Sequence, residues 1–162
     1  WETVSGARAP GAFRLPEGAS LVPLAGGRTE GELVGGNLSL VASSIGTGYE
    51  ISTRGKVLFV EDVGEVPYRV DRMLCQLESS GKLDDAAGFL VGDFTDCAAR
   101  EGAATLSTQE LIGQYLARRG KPCLSGLPVG HGKINATLPL GIRVALDADK
   151  GTVTFLERAV AK

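Results

Sequence analysis

KVLFVEDVGEVPYRVDRMLCQL, residues 56–77, reads as a strand, an acidic corner, a loop and a helix. Val57 to Val60 form an apolar run of the length of a buried strand. The run ends in Glu61-Asp62, and Gly64 and Pro67 then break regular structure. From Val70 the apolar residues Met73, Leu74 and Leu77 follow at i+3, i+4 and i+7, the spacing of an amphipathic helix. Arg69, Asp71, Arg72 and Gln76 fall on its polar side. A carboxylate at the C-terminal end of a buried strand is where sheet-based enzymes often hold working groups. The same acids can equally cap a helix or solvate a strand end.

Working outward, Ala87 to Phe94 is a second buried strand that again ends in an acid, Asp93. Strand, helix and strand in this order predict a βαβ crossover with parallel strands. Leu83 to Asp85 and Thr95 to Thr105 read as loops. Upstream, Thr29 to Val34 is a short strand. Gly35-Gly36-Asn37 is a tight turn into a short helix, Leu38 to Ala42, with Asn37 as its N-cap. That turn presents backbone N–H groups suited to an anion, or its glycines only supply positive φ. Tyr49 to Ile51 reads as briefly extended. Leu21 to Leu24 suits an edge strand, because Pro23 cannot donate to a ladder.

Downstream, Ser107 and Glu110 form a capping box. The helix they open carries Leu111, Ile112, Tyr115 and Leu116 on one face and stops at Gly120 and Pro122. Cys123 to Gly126 is a short strand at best. Residues 139–147 and 152–157 alternate as a hairpin around Ala148 to Gly151. The fold class predicted is α/β, a mixed sheet with a few helices. Residues 1–20 carry Gly, Pro and Ala without periodicity and read as a linker or loose arm, leaving 21–162 as the domain.

The 162 residues suffice for one domain with a real core, and a hydrophobic fraction of 43% with 22% charged residues is ordinary for a globular chain. A net charge of −2 without a Lys/Arg run disfavours a nucleic-acid or membrane partner. Cys75, Cys97 and Cys123 form no CxxC pair, which suggests neither a zinc site nor a disulfide framework. Cys75, beside Leu74, is expected to be a buried free thiol. The chain opens on Trp1 and reads as a processed or cut-down piece.

His131 is the one histidine, set in Gly130-His131-Gly132 after Pro128. The flanking glycines let the ring stand clear and let a ligand or second domain approach. A carboxylate such as Glu61 bonded to that imidazole would be two-thirds of a nucleophilic triad. No G-x-S-x-G elbow supplies the third member, and Cys75 in mid-helix is a poor nucleophile. The competing reading is a divalent-metal site built from His131, Glu61, Asp62 and Asp93, although catalytic zinc usually takes more than one His or Cys.

Five ordered segments resemble one family. Gly35 to Leu40, Gly55 to Glu65 with Pro67 to Leu74, Gly92 to Cys97, Gly126 to Gly132 and Leu138 to Gly141 look like the LD-carboxypeptidase family of serine peptidases. The resemblance runs from about residue 21 to the end of the chain. It implies two domains in the whole protein. The first, missing here, carries the nucleophilic serine and oxyanion hole on a flavodoxin-like or amidotransferase-like fold. The second is a swivelling β/β/α domain, which this chain matches.

By position, the resemblance makes Glu61 the triad acid and His131 the general base, with Glu65 ranked below Glu61 and with Gly36 and Asn37 lining the substrate cleft. It implies no metal and no cofactor. The expected partners are the N-terminal serine domain of the same protein, a murein peptide and a second copy in a homodimer. The expected setting is the cytoplasm, and the expected reaction is removal of terminal D-alanine from murein tetrapeptides in peptidoglycan recycling. Two alternatives stay open: a relative like the microcin-immunity peptidases, acting on peptidyl or aminoacyl nucleotides, and a docking or dimerisation module without chemistry.

Overall fold

The computed structural model describes residues 10–99 and 105–159. Among these residues lie eight strands and four α-helices. They are β1 (Gly11–Ala12), β2 (Val22–Ala25), β3 (Arg28–Asn37), α1 (Leu38–Ser44), β4 (Val57–Val63), α2 (Pro67–Ser79), α3 (Lys82–Asp85), β5 (Gly88–Thr95), α4 (Thr108–Tyr115), β6 (Cys123–Ser125), β7 (Arg143–Asp147) and β8 (Thr152–Phe155). The strands form one mixed sheet in the order β1-β8-β7-β3-β4-β5-β6-β2. β3, β4, β5 and β6 run parallel, while β7, β8, β1 and β2 pair antiparallel.

β4 is central and buried on both faces. Its alternate side chains enter two separate cores, which is the period-2 geometry of a strand. Leu58 and Val60 join Phe89 and Val91 of β5 beneath Val70, Leu74 and Leu77 of α2 and Leu111 and Ile112 of α4. Val57 and Phe59 join Leu33, Leu90, Leu124, Val144, Leu146 and Phe155 on the other face. A strand covered on both sides reads as a continuous apolar run, as residues 57–60 do. Pro67 sits in the first turn of α2, where its missing N–H costs no hydrogen bond.

The parallel pairing of β4 and β5, the Asn37 cap, the capping box at Ser107 and the edge position of β2 match the sequence expectations. Several details differ. Gly35 and Gly36 do not end a strand in a tight turn, since β3 continues through them and pairs with β4 as far as Asn37 opposite Glu61. Leu83 is not in a loop. Gly81, in the left-handed conformation, restarts the chain as α3, which buries Leu83. Tyr49 to Ile51 form no strand, and residues 139–142 precede β7.

Cys75 is exposed rather than buried. One residue beyond Leu74 is a rotation of about 100° around the helix, off the apolar stripe. The arm expected at 1–20 lies outside the described residues over 1–9. Its second half is docked instead of loose. Gly11–Ala12 pairs with β8, Phe13 meets Phe155 edge-on at 5.5 Å between ring centroids, and Phe13, Leu15 and Leu21 pack on the second core. Their apolar area outweighs the Gly and Pro content that made the segment read as a linker.

Candidate active site

The C-terminal ends of β3, β4 and β5 converge on one edge of the domain. There β4 carries Glu61 and Asp62, both buried, at 6% and 2% exposure. Opposite them, residues 126–142 form neither helix nor strand. That segment is pinned to β5 by Leu127 N–H to Val91 O at 3.2 Å and by Asp93 N–H to Val129 O at 3.0 Å. It is closed on itself by Ala136 N–H to Pro128 O at 2.7 Å and by Asn135 Nδ2 to Gly130 O at 2.9 Å.

His131 stands on this segment with its Nδ1 at 2.8 Å from Glu61 Oε2. A carboxylate only accepts, so the bond places the imidazole proton on Nδ1 and leaves Nε2 as the basic nitrogen. The Glu61 side chain is 8% exposed, whereas that of His131 is 49% exposed. A buried acid thus holds a ring whose remainder faces outward. Glu65 turns elsewhere and pairs with Arg69 at 3.4 Å.

Asn37 lies beside this pair, opposite Glu61 in the β3–β4 register. Gly36 precedes it with open space where a side chain would stand. Asn37 Nδ2 donates to Asp62 Oδ1 at 2.9 Å, and Asn37 Oδ1 accepts from Leu40 N–H at 3.2 Å. Asp62 also accepts from Ser39 N–H at 3.0 Å, Ser39 Oγ at 2.8 Å and Val63 N–H at 2.8 Å. Asp62 is therefore the hub that fixes α1 and Asn37 against the strand that presents Glu61. The sequence marked Asp62 as part of an acidic corner and as a candidate metal ligand, not as a hub, and its partners at Asn37 and Ser39 lie more than twenty positions upstream.

Both oxygens of Asp62 are engaged by hydrogen-bond donors, and His131 Nδ1 is engaged by Glu61. Among the described residues no group of three or more His, Cys, Asp and Glu is placed to hold an ion. Asp62→Ala would leave several donors without their acceptor. It is expected to lower unfolding free energy by about 3 kcal/mol, since bonds to charged groups are the strong ones. Urea titration checks this, and an unchanged midpoint would remove Asp62 from its place as the hub.

A cavity of about 540 Å³ opens next to the acidic corner, lined by Gly64, Val66, Pro67, Tyr68 and Arg69 among others. Asp93, at the end of β5, is held above the usual carboxylate range by burial, an effect that the Gly132 N–H opposes.

The sequence model described as the LD-carboxypeptidase C-terminal domain matches residues 30–146. The chain belongs to the LD-carboxypeptidase C-terminal domain family. Curated relatives agree. The chain is 46% identical over 135 residues to the Bacillus subtilis protein named probable murein peptide carboxypeptidase, covering 83% of this chain and 42% of that protein. It is 38% identical over 124 residues to the murein tetrapeptide carboxypeptidase of Pseudomonas aeruginosa, covering 76% of this chain and 40% of that one. The chain thus spans less than half the length of these relatives.

Among solved structures, the muramoyltetrapeptide carboxypeptidase of Oxalobacter formigenes superposes with a TM-score of 0.73 at 35% identity, over 86% of this chain and 50% of that chain. The microcin C7 self-immunity protein MccF shares the fold, with a TM-score of 0.81 at 22% identity over 95% and 52% of the two chains.

Proposed function

We propose that this chain supplies the acid and the base of a serine LD-carboxypeptidase, which removes terminal D-alanine from murein tetrapeptides during peptidoglycan recycling. The observation that supports it most directly is the 2.8 Å bond between His131 Nδ1 and Glu61 Oε2. In this reading a serine Oγ from an N-terminal domain attacks the carbonyl of the bond before D-alanine. His131 Nε2 takes the hydroxyl proton as that bond forms, and hands it to the departing amine as the C–N bond breaks. Water, deprotonated by the same nitrogen, then cleaves the acyl-enzyme and frees the tripeptide. Glu61 keeps the tautomer and stabilises the imidazolium at both steps. Gly36 and Asn37 line the substrate cleft, and residues 1–20 lead from the serine domain into this one. The same family reading carries a cytoplasmic homodimer, with no nucleic-acid or membrane partner.

The test uses the two-domain protein with two substrates, a murein tetrapeptide and an aminoacyl-nucleotide analogue. Release of D-alanine from the tetrapeptide is the expected result. A higher kcat/KM on the nucleotide would overturn the substrate assignment in favour of a microcin-immunity activity. The 162-residue chain by itself is expected to turn over neither substrate above the buffer rate.

A further inference from the structure

Each glycine beside His131 is pressed against a carboxylate. A methyl group on Gly130 would lie 2.6 Å from Glu61 Oε2 and 3.4 Å from Asp93 Cβ, and one on Gly132 would overlap Asp93 Oδ2. Asp93 grips the loop on both sides of the histidine. Its backbone N–H donates to Val129 O at 3.0 Å ahead of the ring, and its carboxylate packs directly against Gly132 behind it. The other hydrogen bonds near the ring, between Asn135 and Gly130 and between Ala136 and Pro128, lie within the loop itself and do not reach the sheet. β4 therefore holds the imidazole and β5 holds the backbone that carries it.

We propose that Asp93 is a positioning residue for His131, anchoring Gly132 so that the ring meets Glu61. The inference rests on His131 being the base of the proposed reaction. Asp93 touches no reacting atom in it. A loop without regular structure has many backbone conformations, and the one that brings Nδ1 to Glu61 is selected by the contact at Gly132. A misplacement of about 1 Å in such a group can cost a hundredfold in rate.

His131 is the single histidine of the sequence, so a chain labelled with ¹⁵N at histidine gives the spectrum of one ring. The ring nitrogen shifts report which nitrogen carries the proton, and a downfield Nδ1–H signal reports the bond to Glu61. Glu61→Ala supplies the spectrum of the uncoupled ring. Asp93→Ala is expected to lose the downfield proton and to move the ring shifts to the Glu61→Ala values. Asp93→Asn keeps a planar group of the same shape against Gly132, and is expected to restore the wild-type spectrum. A folded Asp93→Ala chain with the wild-type ring spectrum would overturn the proposal. Should Asp93→Ala not fold, Gly132→Ala decides, because its methyl displaces the carboxylate. An unchanged ring there also overturns it. No substrate enters the measurement. It can fail while the carboxypeptidase activity stands, and a different substrate for the two-domain protein would leave the spectra as they are.

Discussion

His131→Ala, made in the protein that joins this chain to its proposed serine domain, is expected to lower kcat on the order of 10⁴-fold or more, with KM little changed. The reason lies in what the ring does. Serine Oγ is a weak nucleophile while protonated, and the amine is a poor leaving group until it gains a proton. His131 serves both steps, so its loss removes stabilisation that exists only in the transition states. The residual rate comes from substrate binding and the oxyanion hole. Glu61→Gln leaves a hydrogen-bonding group of the same shape but can hold the ring in the wrong tautomer, and a loss approaching the same order is expected. The two losses should not add, because the residues act as one unit. Steady-state kinetics on a murein tetrapeptide measures both variants and the double variant that combines them. If His131→Ala kept near-normal activity, the chain would be a docking module and the acid–base reading would fall.

The second large effect is structural. Gly35→Ala is expected to destabilise the domain by about 4 kcal/mol or more, the range of exceptional single substitutions. Gly35 has φ 128° and sits opposite Phe59 in the β3–β4 ladder. A methyl group there would overlap the Phe59 carbonyl oxygen. That oxygen is backbone, so no rotamer change relieves the clash, and the two central parallel strands must separate or slip. A slip of β3 would also move Asn37 away from Glu61. Gly36→Ala, by contrast, has open space for its methyl and meets only the strain of φ 146°. Chemical denaturation of the two variants should therefore differ by several kcal/mol. Equal midpoints would show that the ladder adjusts around the Gly35 methyl.

The central strand, the helix after Pro67, the second strand ending in Asp93 and both capped helices were legible because each rests on local signals: an apolar run, a 3.6 period, a cap residue. Glu61 and His131 were legible as chemical types, and the family resemblance linked them across seventy positions. Their bond was not legible, because it depends on how residues 126–142 fold back over β5, and no periodicity describes that segment. The role of Gly130 and Gly132 was read as freedom for the ring or an approaching ligand, whereas the structure brings two carboxylates to them. The Asp62 hub was invisible for the same reason as the ring contact: its distant donors, Asn37 at the end of β3 and Ser39 in α1, reach it only once β3 and α1 are packed against β4. Residues 10–20 misled in the other direction, since glycine and proline suggested a linker while Phe13 and Leu15 were packing against the second core.

The docking of that segment has a mechanical consequence. β1 lies at the outer edge of the sheet, four strand spacings from β4, or about 19 Å along the sheet. A domain attached ahead of it would pivot at that edge, with Glu61 and His131 at the end of a long lever arm. By the same spacing, each 10° of rotation about the pivot would sweep the attached domain's nucleophile by about 3 Å relative to His131. The two residue pairs that join β1 to β8 would then act as a bearing, and their stiffness would limit how tightly the cleft can be aligned.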